Sequence, residues 1–277
     1  MINKAQSPKS KVQCPPICLT IAGLDPSGGA GIIADIKTFT AFGCFATAAV
    51  TSLTFQNTTG VFGAVNQTAE SVRGQVLPVI EDFQIAAVKT GMLPTGEVIE
   101  EVARLIQEFK LPAPVVDPVV RSTSGFDLIT DEALQSLIKS LFPLARVVTP
   151  NIAEAERITN LKIETFESMQ AAARKIYDLG AKVVLVKSGH LVHDGKTRDL
   201  LFDGESFEVF EGQFIETKAT HGTGCTLAAG IAANLANGKT LNEAVQIAKD
   251  FVTNAIRTAP HIGRGHSPIN LITENGK

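Results

Sequence analysis

Short apolar runs alternate with longer amphipathic segments along almost the whole chain, and few folds accept that rhythm. Strand candidates are 17–23 (ICLTIAG), 46–55 (ATAAVTSLTF), 85–91 (IAAVKTG), 114–120 (PVVDPVV), 145–151 (ARVVTPN) and 182–189 (KVVLVKSG). Helix candidates are Gly29–Ala41, Ala69–Glu81, Thr95–Phe109, Asp131–Lys139, Ile152–Thr159, Glu167–Asp178, Thr223–Asn237 and Asn242–Thr258. Strands that alternate with helices of about 10–15 residues make βαβ units and a mainly parallel sheet. Near-continuous runs such as VVLV at 183–186 suit strands buried on both faces. Residues 196–210 (KTRDLLFDGESFEVF) read as a hairpin turning at Asp203-Gly204. No Pro/Gly/Ser-rich linker or internal repeat divides the 277 residues, of which 44% are hydrophobic. The predicted fold is α/β: one doubly wound domain over 17–277, preceded by a flexible polar, Pro-rich tail over 1–16.

Composition removes several classes of function. A net charge of −3, no Trp and a single Tyr leave neither a basic surface nor a stacking platform for nucleic acid. No apolar run reaches the ~20 residues of a membrane span. The N-terminal residues lack the apolar core of a secretory signal. Cys14, Cys18, Cys44 and Cys225 form no CxxC or zinc spacing. The expectation is a soluble protein of a reducing compartment, with no nucleic-acid or membrane partner.

In doubly wound sheets ligands sit beyond the carboxyl ends of the strands, and the chemistry-bearing segments fall there. They are GLDPSGGAG (23–31), FQNTTG (55–60), KTGML (89–93), DPVVRSTSG (117–125), TPN (149–151) and KSGH (187–190). Gly29-x-Gly31-x-x-Ala34 has the outline of a dinucleotide fingerprint. That fingerprint also needs an acid about 20 residues on, and no Asp or Glu lies between Asp35 and Glu70. A closure over another small ligand fits better, and a plain turn stays open. No P-loop is present, so phosphate has to be held elsewhere. ATHGTGCTLAAG (219–230) offers glycine-exposed amides running into a helix N-terminus, an anion-binding arrangement. The alternative is an ordinary Gly-rich turn into a buried helix. Asn151 and Glu154 share a face of a helix start. They fit an N-cap with a first-turn acid, or an oxygen pair supporting Mg²⁺ near a phosphate, with Asp117 adding charge.

These segments, in this order and joined by the terminal IGRGHSPIN (262–270), make the chain similar to the hydroxymethylpyrimidine/phosphomethylpyrimidine kinases of thiamine biosynthesis, in the ribokinase-like superfamily. The resemblance implies a three-layer αβα sandwich and a cytoplasmic homodimer using ATP and Mg²⁺. It also implies two successive phosphorylations of 4-amino-5-hydroxymethyl-2-methylpyrimidine. Carried over by position, Gly222, Thr223 and Gly224 form the anion hole and Cys225 holds the catalytic-base position. Asn151 and Glu154 support Mg²⁺. Ala30, Asp35, Gln56, Met92 and Val119 contact the pyrimidine, while Asp117 and Lys187 lie on the nucleotide-phosphate side. One departure is Thr123, where relatives often carry lysine.

Most of the superfamily has aspartate where this chain has Cys225. A cysteine serves if the helix N-terminus lowers its pKa from about 8.5, and the expectation is a thiolate that takes the substrate hydroxyl's proton. A rival of another class is a cysteine hydrolase with His221 as base, and another is a non-catalytic binder. Within kinases the runner-up is a pyridoxal kinase.

Overall fold

The first strand is also the centre of the sheet. In the computed structural model, which describes residues 14–121, 125, 127–189 and 191–272, the chain runs β1 (Ile17–Leu24), α1 (Gly31–Ala41), β2 (Phe45–Asn57), β3 (Gly60–Asn66), α2 (Ala69–Asp82), β4 (Ile85–Thr90), α3 (Gly96–Glu108), β5 (Val115–Val116), α4 (Asp131–Ser136), β6 (Val147–Val148), α5 (Ile152–Thr159), α6 (Phe166–Asp178), β7 (Val184–Val186), β8 (Val192–His193), β9 (Lys196–Phe202), β10 (Phe207–Gln213), α7 (Thr223–Ala236) and α8 (Leu241–Arg257). One sheet has the order β10-β9-β7-β6-β5-β4-β1-β2-β3, with β8 beside β9. The strands from β7 to β2 are parallel, and β3, β9 and β10 add antiparallel edges. The chain leaves β1 for β2 on one side and later returns to β4 on the other. That reversal opens a crevice at the carboxyl end of β1, where such sheets bind ligands.

Side-chain alternation along the strands separates two apolar layers. Val115, Val147, Leu185 and Leu201 pack with Phe39 of α1, Leu227 and Ile231 of α7 and Val245 of α8. Their neighbours Val116, Val148, Val184, Val186 and Leu200 pack with Val72 of α2, Ile99 of α3, Ile158 of α5 and Met169 of α6. Each such side chain contributes roughly 1.5–3 kcal/mol by burial. Gly230 lets α7 and α8 touch, since a Cβ there would lie 2.9 Å from that of Ala248. The α/β sandwich is as expected.

The differences have local causes. The strands expected at 114–120, 145–151 and 182–189 shrink to two or three residues. Pro118 and Pro150 lack the amide a ladder needs, and the Ser188 amide bonds the Asp199 carboxylate instead, at 2.9 Å. The second strand runs on to Asn57 and pairs with β3, which the sequence did not announce. The first helix starts at Gly31 rather than Gly29, because Gly28 and Gly31 have φ of 77° and 56° and Ala30 is extended. The helix expected at Asp131–Lys139 widens into a π turn over Leu137–Leu141. The β9–β10 turn is four residues, not the two of Asp203-Gly204, because Asp203 Oδ1 accepts the amides of Glu205 and Ser206 at 2.9 and 2.8 Å. The tail through residue 13, Thr123 and His190 lie outside the described residues.

Candidate active site

Two glycine-rich loops interlock at the switch point. Asp25, just after β1, accepts the amides of Ser27 (2.8 Å) and Ala30 (2.9 Å) and the Ser27 hydroxyl (2.7 Å). Its Oδ2 also lies 2.7 Å from Nε2 of His221, before α7. Burial pushes the Asp25 carboxyl up, but His221 and Ser27 outweigh it and hold it below its ordinary value. His221 therefore donates to a carboxylate, which stitches the two loops together. The glycines follow from this closeness. A Cβ on Gly29 would sit 2.4 Å from His221 Cδ2, and one on Gly222 (φ 88°) 1.9 Å from the Gly29 carbonyl oxygen. With its Nε2 on Asp25, His221 is no base for Cys225, and the hydrolase reading loses its second residue.

A charged cluster faces the start of α7. Lys187, after β7, places Nζ 2.9 Å from Asp117 Oδ1, after β5, and 3.9 Å from Glu154 Oε2, on the first turn of α5. A Cβ on Gly224 would lie 3.2 Å from that Nζ and 3.7 Å from Asp117 Oδ2. Asp117, Glu154, Lys187 and Gly224 thus converge, as the sequence reading requires. Burial opposes the Lys187 ammonium, but Asp117 and Glu154 hold its pKa above the ordinary value.

Asn151 and Glu154 form a reciprocal capping box: Asn151 Oδ1 accepts the Glu154 amide at 2.9 Å, and Glu154 Oε2 accepts the Asn151 amide at 2.7 Å. Burial pushes the Glu154 carboxyl up to about 7, Asp117 adds to the rise, and Lys187 opposes it. Two buried carboxylates sharing one ammonium leave negative charge that a dication beside phosphate would balance. The described residues contain no cluster of three or more His, Cys, Asp or Glu that could cage a metal. Mg²⁺ tolerates this, since it keeps several waters and takes substrate phosphates as ligands. The donor set fits.

Two expectations at the start of α7 change. Thr223 turns its amide back to the Thr220 carbonyl at 3.3 Å. The anion-hole donors are then the Gly224 and Cys225 amides, which a helix's first turn leaves unpaired. Cys225 is also not a lowered thiol. Burial pushes it up to about 11, Lys89 pulls it down, Asp35 and Asp117 raise it, and the Gly31 amide lowers it. The helix N-terminus does not offset desolvation there.

The pyrimidine-side residues gather round β1, with one exception. Asp35 of α1 is fully buried, 2.8 Å from Lys89 Nζ and 2.6 Å from the donating Thr20 hydroxyl. Its Oδ1 has no hydrogen-bond partner among the described residues. Met92 packs over Gly23, where a Cβ would meet its Sδ at 3.0 Å, and its carbonyl accepts the Thr51 hydroxyl at 2.6 Å. Ala30 is fixed through Asp25. Gln56 lies inside β2, at a register shift after Phe55, and not in a loop beyond the strand. Its Nε2 donates to Thr54 Oγ1 at 2.6 Å, and that hydroxyl donates to the Leu24 carbonyl at 2.8 Å. Val119 is the exception, since its amide bonds the Asp117 carbonyl on the phosphate side (2.8 Å). The terminal motif has a visible task. Its His266 amide donates to the Thr58 carbonyl at 2.7 Å, clamping the β2–β3 turn that carries Gln56.

Sequence reasoning missed Asp25 and Lys89 and gave His221 the wrong partner. Asp25 carried a signal: D-P-S-G after a strand marks an Asx turn. Lys89 carried none, because a lysine inside an apolar strand shows no partner until the fold supplies Asp35.

An unpaired helix start facing a lysine between two carboxylates, at the switch point of this sheet, is the arrangement of a phosphoryl-transfer enzyme of ribokinase-like fold. The sequence comparisons are more specific. The family model for phosphomethylpyrimidine kinase matches residues 25–270, and the chain belongs to that family. The hydroxymethylpyrimidine/phosphomethylpyrimidine kinase of Bacillus subtilis is 44% identical over 252 residues, covering 91% of this chain and 93% of that one. The thiamine biosynthesis bifunctional protein ThiED of Geobacter sulfurreducens is 47% identical over 92% of this chain and 52% of its own length. Among solved structures, the ADP complex of Bacillus subtilis pyridoxal kinase superposes with a TM-score of 0.85 at 37% identity, covering 92% of this chain and 97% of that one.

Proposed function

We propose that this kinase moves the γ-phosphoryl group of ATP first to the hydroxymethyl oxygen of 4-amino-5-hydroxymethyl-2-methylpyrimidine, then to the resulting monophosphate. The observation that carries this is the convergence of Asp117, Glu154, Lys187 and Gly224 at the start of α7, next to Asp35 and Cys225. Family membership supplies the reaction class, and the ADP complex of the pyridoxal kinase relative supports an adenine nucleotide.

In the first transfer Cys225, having released its own proton to solvent, takes the proton of the substrate hydroxyl. The hydroxyl oxygen bonds the γ-phosphorus as the bond to the ADP oxygen breaks. The Gly224 and Cys225 amides and Lys187 balance the charge on the moving phosphoryl group. Asn151 and Glu154 would hold Mg²⁺ through water, and the ion would neutralise phosphate charge. In the second transfer the nucleophile is already a phosphate oxygen, so no hydroxyl proton has to move. Asp35 Oδ1 and the Gln56 amide offer the ring an acceptor and a donor–acceptor edge.

Pyridoxal is the second reading, favoured by the likeness to a pyridoxal kinase. Against it stands Gln56, whose amide complements an aminopyrimidine edge that pyridoxal lacks. A homodimer fits the exposed apolar strip of the β2–β3 hairpin, where Leu53 and Val65 are directly opposite and Phe55 is two residues along. The cytoplasm fits a chain without a membrane-long apolar helix among its described residues. The deciding experiment is ADP release with MgATP and hydroxymethylpyrimidine, its monophosphate or pyridoxal. The proposal expects turnover of both pyrimidines and much less of pyridoxal. Turnover of pyridoxal alone would overturn it.

A further inference from the structure

Two lysines of this chain are buried against aspartates, and they are not alike. Lys249 of α8 meets Asp199 of β9 at 2.5 Å, and the other Asp199 oxygen accepts the Ser188 amide at 2.9 Å. That carboxylate is fully partnered within the fold, as buried charges usually are. Lys89 and Asp35 are buried completely, yet Asp35 Oδ1 is left without a partner among the described residues. Lys89 also reaches forward along β4. A Cβ on Gly91 would lie only 2.7 Å from Lys89 Nζ, so the ammonium stands level with the carboxyl end of the strand, at the ligand crevice. Gly91 leaves it that room.

The groups facing Cys225 come from every side of the crevice. They are Lys89 from β4, Asp35 from α1, Asp117 after β5, Lys187 after β7 and the Gly31 amide at the start of α1. Within this set Lys89 is the principal influence favouring a thiolate, and Asp35 and Asp117 oppose it. Asp35 in turn holds Lys89 charged: burial works against the ammonium, but Asp35, Cys225 and Asp117 raise its pKa.

We propose that Lys89 is a positioning residue of the transfer centre, supplying from beneath the crevice the positive charge that lets Cys225 carry a proton from the substrate, with Asp35 setting how much of that charge the thiol feels. Lys89 touches neither substrate nor nucleotide in this scheme and acts through Cys225. The proposal rests on the kinase reading for its catalytic consequence, but its electrostatic part is independent of any substrate.

The test therefore starts without substrate. Full-length protein is alkylated with iodoacetamide across pH, and Cys225 modification is followed by peptide mass spectrometry, which separates it from Cys14, Cys18 and Cys44. Asp35→Asn removes an opposing charge, so Cys225 should alkylate faster than in the parent at the same pH. Lys89→Met alone would leave a buried carboxylate unpaired and risks misfolding. The substitution is therefore read in the Asp35→Asn background, where no lone buried charge remains. Relative to Asp35→Asn, the Lys89→Met/Asp35→Asn protein should alkylate Cys225 roughly tenfold more slowly below the thiol midpoint, the effect of one pKa unit. General loosening of the fold would speed alkylation in both variants. Equal or faster alkylation in the double variant overturns the proposal. With MgATP, the same comparison should lower kcat of the first transfer about tenfold with little change in KM, and lower the second transfer less. If alkylation shifts and neither pyrimidine turns over, the substrate reading fails and the Lys89 assignment stands. If both pyrimidines turn over without an alkylation shift, Lys89 alone is refuted.

Discussion

Gly222 and Gly224 flank Thr223, and replacing each by alanine should fail in a different way. Gly222 has φ of 88°, and a Cβ there would lie 1.9 Å from the Gly29 carbonyl oxygen. The left-handed conformation costs about 1–2 kcal/mol for an L-residue. Relieving the clash needs a retreat of about 1 Å by the 29–31 loop, since real Cβ contacts rarely fall below 3.0 Å. That retreat strains the Ala30 amide bond to the Asp25 carboxylate, a charge-assisted bond of roughly 1.5–3 kcal/mol. Gly222→Ala should thus lose about 3–5 kcal/mol. At roughly 2–4 °C per kcal/mol for chains of this order of size, Tm should fall by about 6–20 °C. Gly224 is different. Its φ is ordinary, and its Cβ would meet only the tip of the flexible Lys187 at 3.2 Å. Gly224→Ala should keep Tm within about 2 °C, the scale of a surface change, and lose about 10²-fold in kcat through displaced phosphate donors. Differential scanning calorimetry and steady-state kinetics on both proteins separate the cases. A Gly222→Ala protein with parental Tm refutes the interlocked-loop account. Near-parental kcat in a folded Gly224→Ala protein refutes the anion-hole assignment.

Three further outcomes are expected. Cys225→Ala should lower the first transfer by about 10²–10⁴-fold and the second by less, which a coupled assay on the alcohol and its monophosphate reads directly. Because the free thiol titrates near 11 and only its deprotonated form accepts a proton, kcat/KM of the first transfer should rise with pH through the neutral and mildly alkaline range. The Cys225→Ala profile should lack that rise, and a parental profile falling over the same range would contradict the base role. Gln56→Met should reduce kcat/KM for the pyrimidine about tenfold to a hundredfold, from roughly 1–3 kcal/mol per amide pair, and leave pyridoxal nearly unchanged; an unchanged ratio across the variants removes Gln56 from ring recognition.

What the sequence disclosed was periodicity and loop chemistry, and what it hid was pairing at a distance. Every helix was visible because apolar residues recur at helical spacing, and Ile152–Thr159 was bounded to the residue because Asn151 and Glu154 cap it. Strands buried on both faces also showed, but Asp117-Pro118 and Pro150 ended their ladders sooner than apolar runs suggest. Strand β3 was missed because its residues are mostly exposed and its Gly60 and Gly63 read as loop. In the site, Asp117, Glu154, Lys187 and Gly224 were placed together correctly by their positions at strand ends. Lys89, Asp35 and Asp25 depend on partners up to 196 residues away, and local pattern carries no trace of such pairs. The thiol was misjudged for a related reason. A helix N-terminus is legible in sequence, whereas the burial that outweighs it is not.

The raised thiol bears on why cysteine suits this position. Asp35, Asp117 and Glu154 already place three carboxylates around the start of α7, against two ammonium groups, Lys89 and Lys187. An aspartate at 225 would add a fourth negative charge where a phosphate chain must enter, and like charges at close range repel strongly in a desolvated site. A thiol that titrates near 11 is neutral at rest and adds none. The difference matters most in the second transfer, when the substrate itself brings a phosphate and needs no base. A permanently charged residue would repel that substrate for no catalytic return. A neutral thiol, made a thiolate by Lys89 only when a hydroxyl proton must move, lets one site accept first an alcohol and then its phosphate ester.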